Sequence, residues 1–156
     1  MKSLEDEIVE KAVSRFKEGY ACSESILMTF AEAQGIKCKQ IPKIATGFAG
    51  GIGRSGFLCG ALTGAVMALG LIYGRNNLDE TLAYEKCMAK CQELCKLFES
   101  ICGSIYCRDL TQCDLTTMDG RQKFKEQQIR EKVCTKLVEN SMRILLNITK
   151  ERVFEG

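Results

Sequence analysis

Twenty consecutive residues, 55–74, carry no charged side chain, and an arginine stands at either end, Arg54 and Arg75. A helix of that length could just cross a bilayer, or it could be buried on all sides within a protein. Glycines at 56, 60, 64 and 70 and the alanines Ala61, Ala65 and Ala68 favour burial in protein, because small residues four apart let neighbouring helix backbones approach closely. The rest of the chain has polar faces suited to water, so a membrane span is set aside. The segment from about 58 to 73 is expected to be the central helix of a bundle.

Its partners follow from apolar periodicity. Leu4, Ile8, Ala12, Val13 and Phe16 form a helical stripe that Gly19 closes, and Ile26, Leu27, Phe30 and Ala31 place another helix over 23–33, with Gly35 at its end. Pro42 suits the first turn of a short helix over 42–48. The spacing predicts two long helices, over 78–102 and over 121–148. Nothing alternates as a strand would, and no repeat is evident. The expectation is an all-α single domain over 1–156, a bundle of about five to seven helices.

Five glycines fall in the ten residues 47–56, which demands irregular or closely approached backbone. Gly51-Ile52-Gly53-Arg54-Ser55-Gly56 has the letters GxGxxG, but the dinucleotide fingerprint needs a strand before it and a βαβ unit around it, and neither is predicted. No Gly-Lys-Ser/Thr closes a phosphate loop either.

The chain holds ten cysteines and no histidine. That excludes a Ser-His-Asp or Cys-His nucleophile, a Cys₂His₂ zinc site and histidine-ligated haem, and leaves thiolate, carboxylate and backbone for any metal or redox centre. A chain of 156 residues can bury a core without covalent staples, so the cysteines are not needed to hold it folded. With 22 basic and 20 acidic residues interleaved, the net charge of +2 gives no basic cluster for nucleic acid. No acidic pair stands out as an acid/base couple, which removes hydrolases. The acidic N-terminus lacks the basic region and apolar run of a secretory signal, so a cytoplasmic location is expected, where cysteine-rich chains bind metals or act in redox chemistry more often than they form disulfide frameworks.

Cys59 sits just after the glycine run, at the start of the predicted central helix. Free backbone N–H groups there are expected to stabilise a thiolate, against the alternative of a small buried hydrophobe. Cys87, Cys91 and Cys95 lie four apart on one face of a helix, and thiols eight residues apart are separated by about 12 Å along the axis, so a metal there would need a further ligand from elsewhere. Cys102, Cys107 and Cys113 crowd the connection between the two long helices, with spacings that match neither a bacterial ferredoxin run nor a zinc ribbon. Cys38, between Lys37 and Lys39, is expected to be an incidental exposed thiol.

Cys59-Gly60-Ala61-Leu62-Thr63-Gly64 resembles the CGAxxG motif of the redox-active protein family named C_GCAxxG_C_C after its cysteines. Tyr20-Ala21-Cys22-Ser23-Glu24-Ser25 resembles the family's first cysteine segment, Gly103-Ser104-Ile105-Tyr106-Cys107-Arg108-Asp109-Leu110 its third, and Cys134 its fourth. The resemblance spans nearly the whole chain. It implies that Cys22, Cys59, Cys107 and Cys134 converge on one redox centre, with Gly56 and Gly60 beside it. A related module in split-Soret cytochromes accompanies an iron–sulfur centre, which makes a cluster one expected form and a dithiol/disulfide pair the other. Nothing about haem carries over, because no Cys-x-x-Cys-His attachment is present. The rival expectations are a zinc–thiolate module and a plain helical interaction protein. A redox partner protein is implied without being identified, and the small-residue helix is compatible with a homodimer as well as with packing inside one chain.

Overall fold

The computed structural model describes residues 1–153. Helix α1, Leu4–Glu18, is capped by Ser3, whose hydroxyl accepts the Asp6 N–H at 3.1 Å, and it stops at Gly19 (φ 124°). Acidic residues in its first turn and basic ones in its last complement the helix dipole. Helix α2, Cys22–Ala33, starts without a side-chain cap from Ala21, but the Glu24 carboxylate reaches back to accept the Ala21 N–H at 2.8 Å. Lys43–Phe48 is a 3₁₀ helix, tighter than the α-helix expected there.

The glycine-rich run then turns through five successive left-handed residues, Gly50, Gly51, Ile52, Gly53 and Arg54, with φ between 56° and 73°. Hydrogen bonds from Gly53 N–H to the Gly47 carbonyl and from Arg54 N–H to the Ala49 carbonyl close the turn, at 2.8 and 3.0 Å. For Ile52 and Arg54 this conformation costs about 1–2 kcal/mol each, so the surrounding bonds must impose it.

Helix α3, Gly60–Tyr73, is buried along most of its length, with Ala61, Leu62, Ala65, Ala68 and Leu69 shielded from solvent. It packs on α2, on α4 (Thr81–Cys102) and on α7 (Thr135–Ile148), while α1 packs across α2 and α7. The small residues act as expected: a Cβ at Gly64 would strike the Ser23 carbonyl and Cα of α2. Buried hydroxyls are satisfied by neighbouring backbone, Ser23 donating to the Ala45 carbonyl (2.8 Å) and Ser141 to the Ala61 carbonyl (2.6 Å). No helix among the described residues is long and apolar enough to cross a membrane.

The second half differs from its expected pattern. Between α4 and α7 lie two short helices, α5 (Cys107–Thr111) and α6 (Met118–Glu126), and the described residues close with the single turn α8 (Lys150–Val153). The long helix expected over 121–148 is broken: Gln128 is left-handed (φ 51°), and Arg130–Cys134 forms a π-helical segment before α7 resumes. Arg130 supplies a physical reason. Its guanidinium donates to the Phe16 and Tyr20 carbonyls at the end of α1 and stacks 3.8 Å from the Phe16 ring centroid, drawing this turn onto α1. The expected count of helices was low because the short ones have too few residues to show a period; among the described residues there are eight α-helices and no strands.

Candidate redox site

Four helix ends meet at one place. Cys22 is the first residue of α2, Cys59 the residue that caps α3, Cys107 the first residue of α5, and Cys134 the last of the π segment that leads into α7. An isolated antiparallel bridge, Leu58 with Tyr106, sets two of them side by side. Cys59 N–H donates to the Ile105 carbonyl at 2.8 Å, and Cys107 N–H to the Phe57 carbonyl at 2.7 Å. Cys22, Cys59, Cys107 and Cys134 all line a single cavity of about 310 Å³, together with Gly50, Gly60, Arg54 and Arg130. All ten thiols are free.

Gly60 is required by this arrangement, since a Cβ there would fall on the Cys22 sulfur. Gly56 serves elsewhere. It lies off the cavity wall, φ 77°, where a Cβ would press on the Arg108 side chain at 3.0–3.1 Å. Gly50 takes the place on the wall that the sequence suggested for Gly56, and its N–H is among the groups that favour the Cys22 thiolate.

The acidity expected of Cys59 is reversed. Burial raises its pKa well above the ordinary thiol value, the neighbouring Cys22 adds to the rise, and the Ala61 and Leu62 N–H groups at the start of α3 offset only part of it. Burial likewise raises Cys22, opposed by the Ser23 N–H and the Arg130 charge. Cys107 is pushed up to about 11 and Cys134 to about 12, in each case by burial first and then by the neighbouring Cys22. The helix terminus acts in the expected direction, but desolvation outweighs it here. In the metal-free chain, burial therefore favours the protonated form of all four thiols.

Cys113 joins the group from behind. It is buried against Cys107 and Leu115, and it lies close enough to raise both Cys107 and Cys134. Its presence in the crowded segment 102–113 was the only sequence signal for it. The other cysteines lie apart. Cys102 accepts a weak hydrogen bond from the Asn140 amide at 3.9 Å, and the exposed Cys38 donates to Gln40 Oε1 at 3.5 Å. Cys87, Cys91 and Cys95 pack along α4 against the core, where Cys91 is raised to about 11 by burial and then by Cys87 beside it.

The cavity thiols are not closed around a point. Among the described residues no three Cys, Asp or Glu side chains stand in position to hold one metal ion. A zinc ion needs its sulfurs about 2.3 Å away on all sides. Four thiols around one cavity, with backbone N–H groups beside the sulfurs, are a donor set of the kind that thiolate-bound metal and iron–sulfur centres take.

No solved structure matches the chain. A protein of Archaeoglobus fulgidus described as "Uncharacterized protein" is 30% identical over 150 residues, covering 91% of this chain and 93% of that one. The family model described as "Putative redox-active protein (C_GCAxxG_C_C)" matches residues 20–148, a span that holds all four cavity cysteines and the Cys59–Gly60 turn on which they converge, and the chain belongs to that family of redox-active proteins.

Proposed function

We propose that the protein is a one-electron carrier whose redox centre is an iron–sulfur cluster held by Cys22, Cys59, Cys107 and Cys134. The observation that carries this reading is the meeting of four thiols from four separate elements on the wall of one cavity. Such a cluster supplies a one-electron couple without proton transfer or histidine.

The chain's own residues do the rest. The four sulfurs give up their protons on loading, and the burial that disfavours thiolates is offset by the cluster's positive iron, by N–H groups from Ser23, Gly50, Ala61 and Leu62, and by the Arg130 charge. Phe16, Leu115, Phe124 and Leu137 on the cavity wall limit water access. The raised thiol pKa values weigh against the dithiol/disulfide alternative, because exchange needs a thiolate near neutral pH. The cytoplasm, a reducing compartment, is the setting this chemistry suits.

Anaerobic purification with a visible spectrum and iron, sulfide and zinc analysis tests the proposal. Brown protein with iron and labile sulfide in equal amounts is the expected result. A colourless protein with one zinc per chain, or one that takes up no iron on reconstitution, overturns it.

A further inference from the structure

Three charged side chains line the cavity among the described residues, and two of them are fully engaged. Glu24 accepts the Ala21 N–H at 2.8 Å and the Thr46 hydroxyl at 2.9 Å. Arg130 is tied to the Phe16 and Tyr20 carbonyls and stacked on the Phe16 ring. Arg54 differs in every respect. It is exposed, its guanidinium has no hydrogen-bond or ion-pair partner among the described residues, and its backbone is held left-handed at φ 64°. Gly50 beneath it has no Cβ, and one built there would meet Arg54 Cα at 2.8 Å and Cγ at 2.9 Å.

The loop therefore carries a cation across the rim of the thiol cavity, in a conformation that arginine disfavours and with no structural bond to justify the charge. The nearby Arg108 does not duplicate it, since its guanidinium is engaged by Asp114 Oδ1 and the Ser55 carbonyl, each at 3.3 Å. Ile52, Phe57 and Tyr106 are exposed apolar side chains, and the last two belong to the segments that bear Cys59 and Cys107. A charge with no fixed partner at the mouth of a low-dielectric cavity acts on whatever approaches it.

We propose that Arg54 is the specificity-determining residue of this site, recruiting anionic electron carriers to the cavity and disfavouring cationic ones. The selectivity for electron carriers rests on the one-electron reading of the cavity; the recruitment of anions does not. Two small oxidants of opposite charge probe it: hexacyanoferrate(III) and hexaammineruthenium(III). Each accepts one electron and becomes its divalent-metal form, while the protein's reduced centre loses one.

In stopped-flow oxidation of the reduced, cluster-loaded protein at about 0.01 M ionic strength, Arg54→Gln slows the anionic reagent about 3- to 10-fold and leaves the cationic one equal or faster. The difference collapses at about 1 M salt, where the screening length is about 3 Å. Arg54→Lys keeps most of the anion rate. Arg54→Gly, which accepts the left-handed backbone without strain, reproduces the glutamine effect in a fully folded protein. Equal slowing of both reagents, or no slowing, overturns the proposal.

A second measurement uses the reduced, metal-free chain. In alkali, where part of the Cys22 thiol is ionised, iodoacetate, an anion, and iodoacetamide, neutral, both alkylate the Cys22 thiolate, forming a sulfur–carbon bond with loss of iodide, and peptide mass analysis reads the extent at that residue. Arg54→Gln lowers the iodoacetate rate relative to iodoacetamide, and an unchanged ratio overturns the role of Arg54. A protein that binds no iron defeats the cluster reading alone, and the alkylation ratio still decides Arg54.

Discussion

Two groups of cysteines in this protein show what position in a helix does to a thiol. Cys87, Cys91 and Cys95 lie inside α4, where consecutive thiols are held in parallel and the neighbouring N–H groups are already bonded along the helix. Cys22, Cys59 and Cys107 lie at helix starts, where first-turn N–H groups lack an i→i−4 partner in the helix, and Cys134 ends a π turn that breaks the regular ladder. Spacing by four along one helix sets the first group in a row along its axis. Separation along the sequence lets the second converge, because four ends can point inward from four directions.

Removing single thiols should separate the groups most sharply. Cys59→Ala or Cys134→Ala is expected to abolish iron binding, measured as iron per chain after anaerobic reconstitution, whereas Cys91→Ala keeps the full content. Loss of iron in Cys91→Ala alone would reverse the assignment of the two groups.

Two glycines of α3 give a smaller contrast. An alanine methyl at Gly60 would occupy the space of the Cys22 sulfur, and Gly60→Ala is expected to cost about 1–3 kcal/mol through overpacking and to lower iron content. At Gly70 a Cβ meets nothing within 4 Å, so Gly70→Ala should stabilise by about 0.5–1 kcal/mol, the helix gain of alanine over glycine. Thermal melts of the two variants, expected to shift in opposite directions, check the pair.

The smallest effect is in alkali. In the reduced, metal-free chain an unfolded thiol ionises near its ordinary value of 9.0, while folded Cys107 holds its proton to about 11 and Cys134 to about 12. Above pH 9 the unfolded state therefore binds fewer protons than the folded one, so stability is full below that pH and falls as pH rises towards 11 and 12. Cys134→Ala should flatten this decline more than Cys95→Ala, since Cys134 is raised by neighbouring cavity thiols as well as by burial. Denaturation midpoints across pH 8 to 11 provide the comparison.

Much of the bundle was legible in the sequence. The stripe of α1, the charge-free α3 and the amphipathic α4 each span enough turns for periodicity to appear, and a run of 20 uncharged residues has few places to go but inside. The break at Gln128 was not legible, because the residues around it keep a helical pattern on both sides. What interrupts the helix is a contact with the end of α1, more than a hundred residues away. The Leu58–Tyr106 bridge is similar: a single bridged pair leaves no strand signal, yet it sets Cys59 beside Cys107.

The amino-acid sequence by itself determined the class of chemistry, by supplying thiols and no imidazole, and the all-α class, by its periodicity. The tertiary structure decided which thiols share a cavity, that Gly50 and not Gly56 forms its wall, and that burial overrides the helix terminus at Cys59. The physical reason is that periodicity and residue type are local properties. Desolvation and convergence depend on what the rest of the chain packs against a residue.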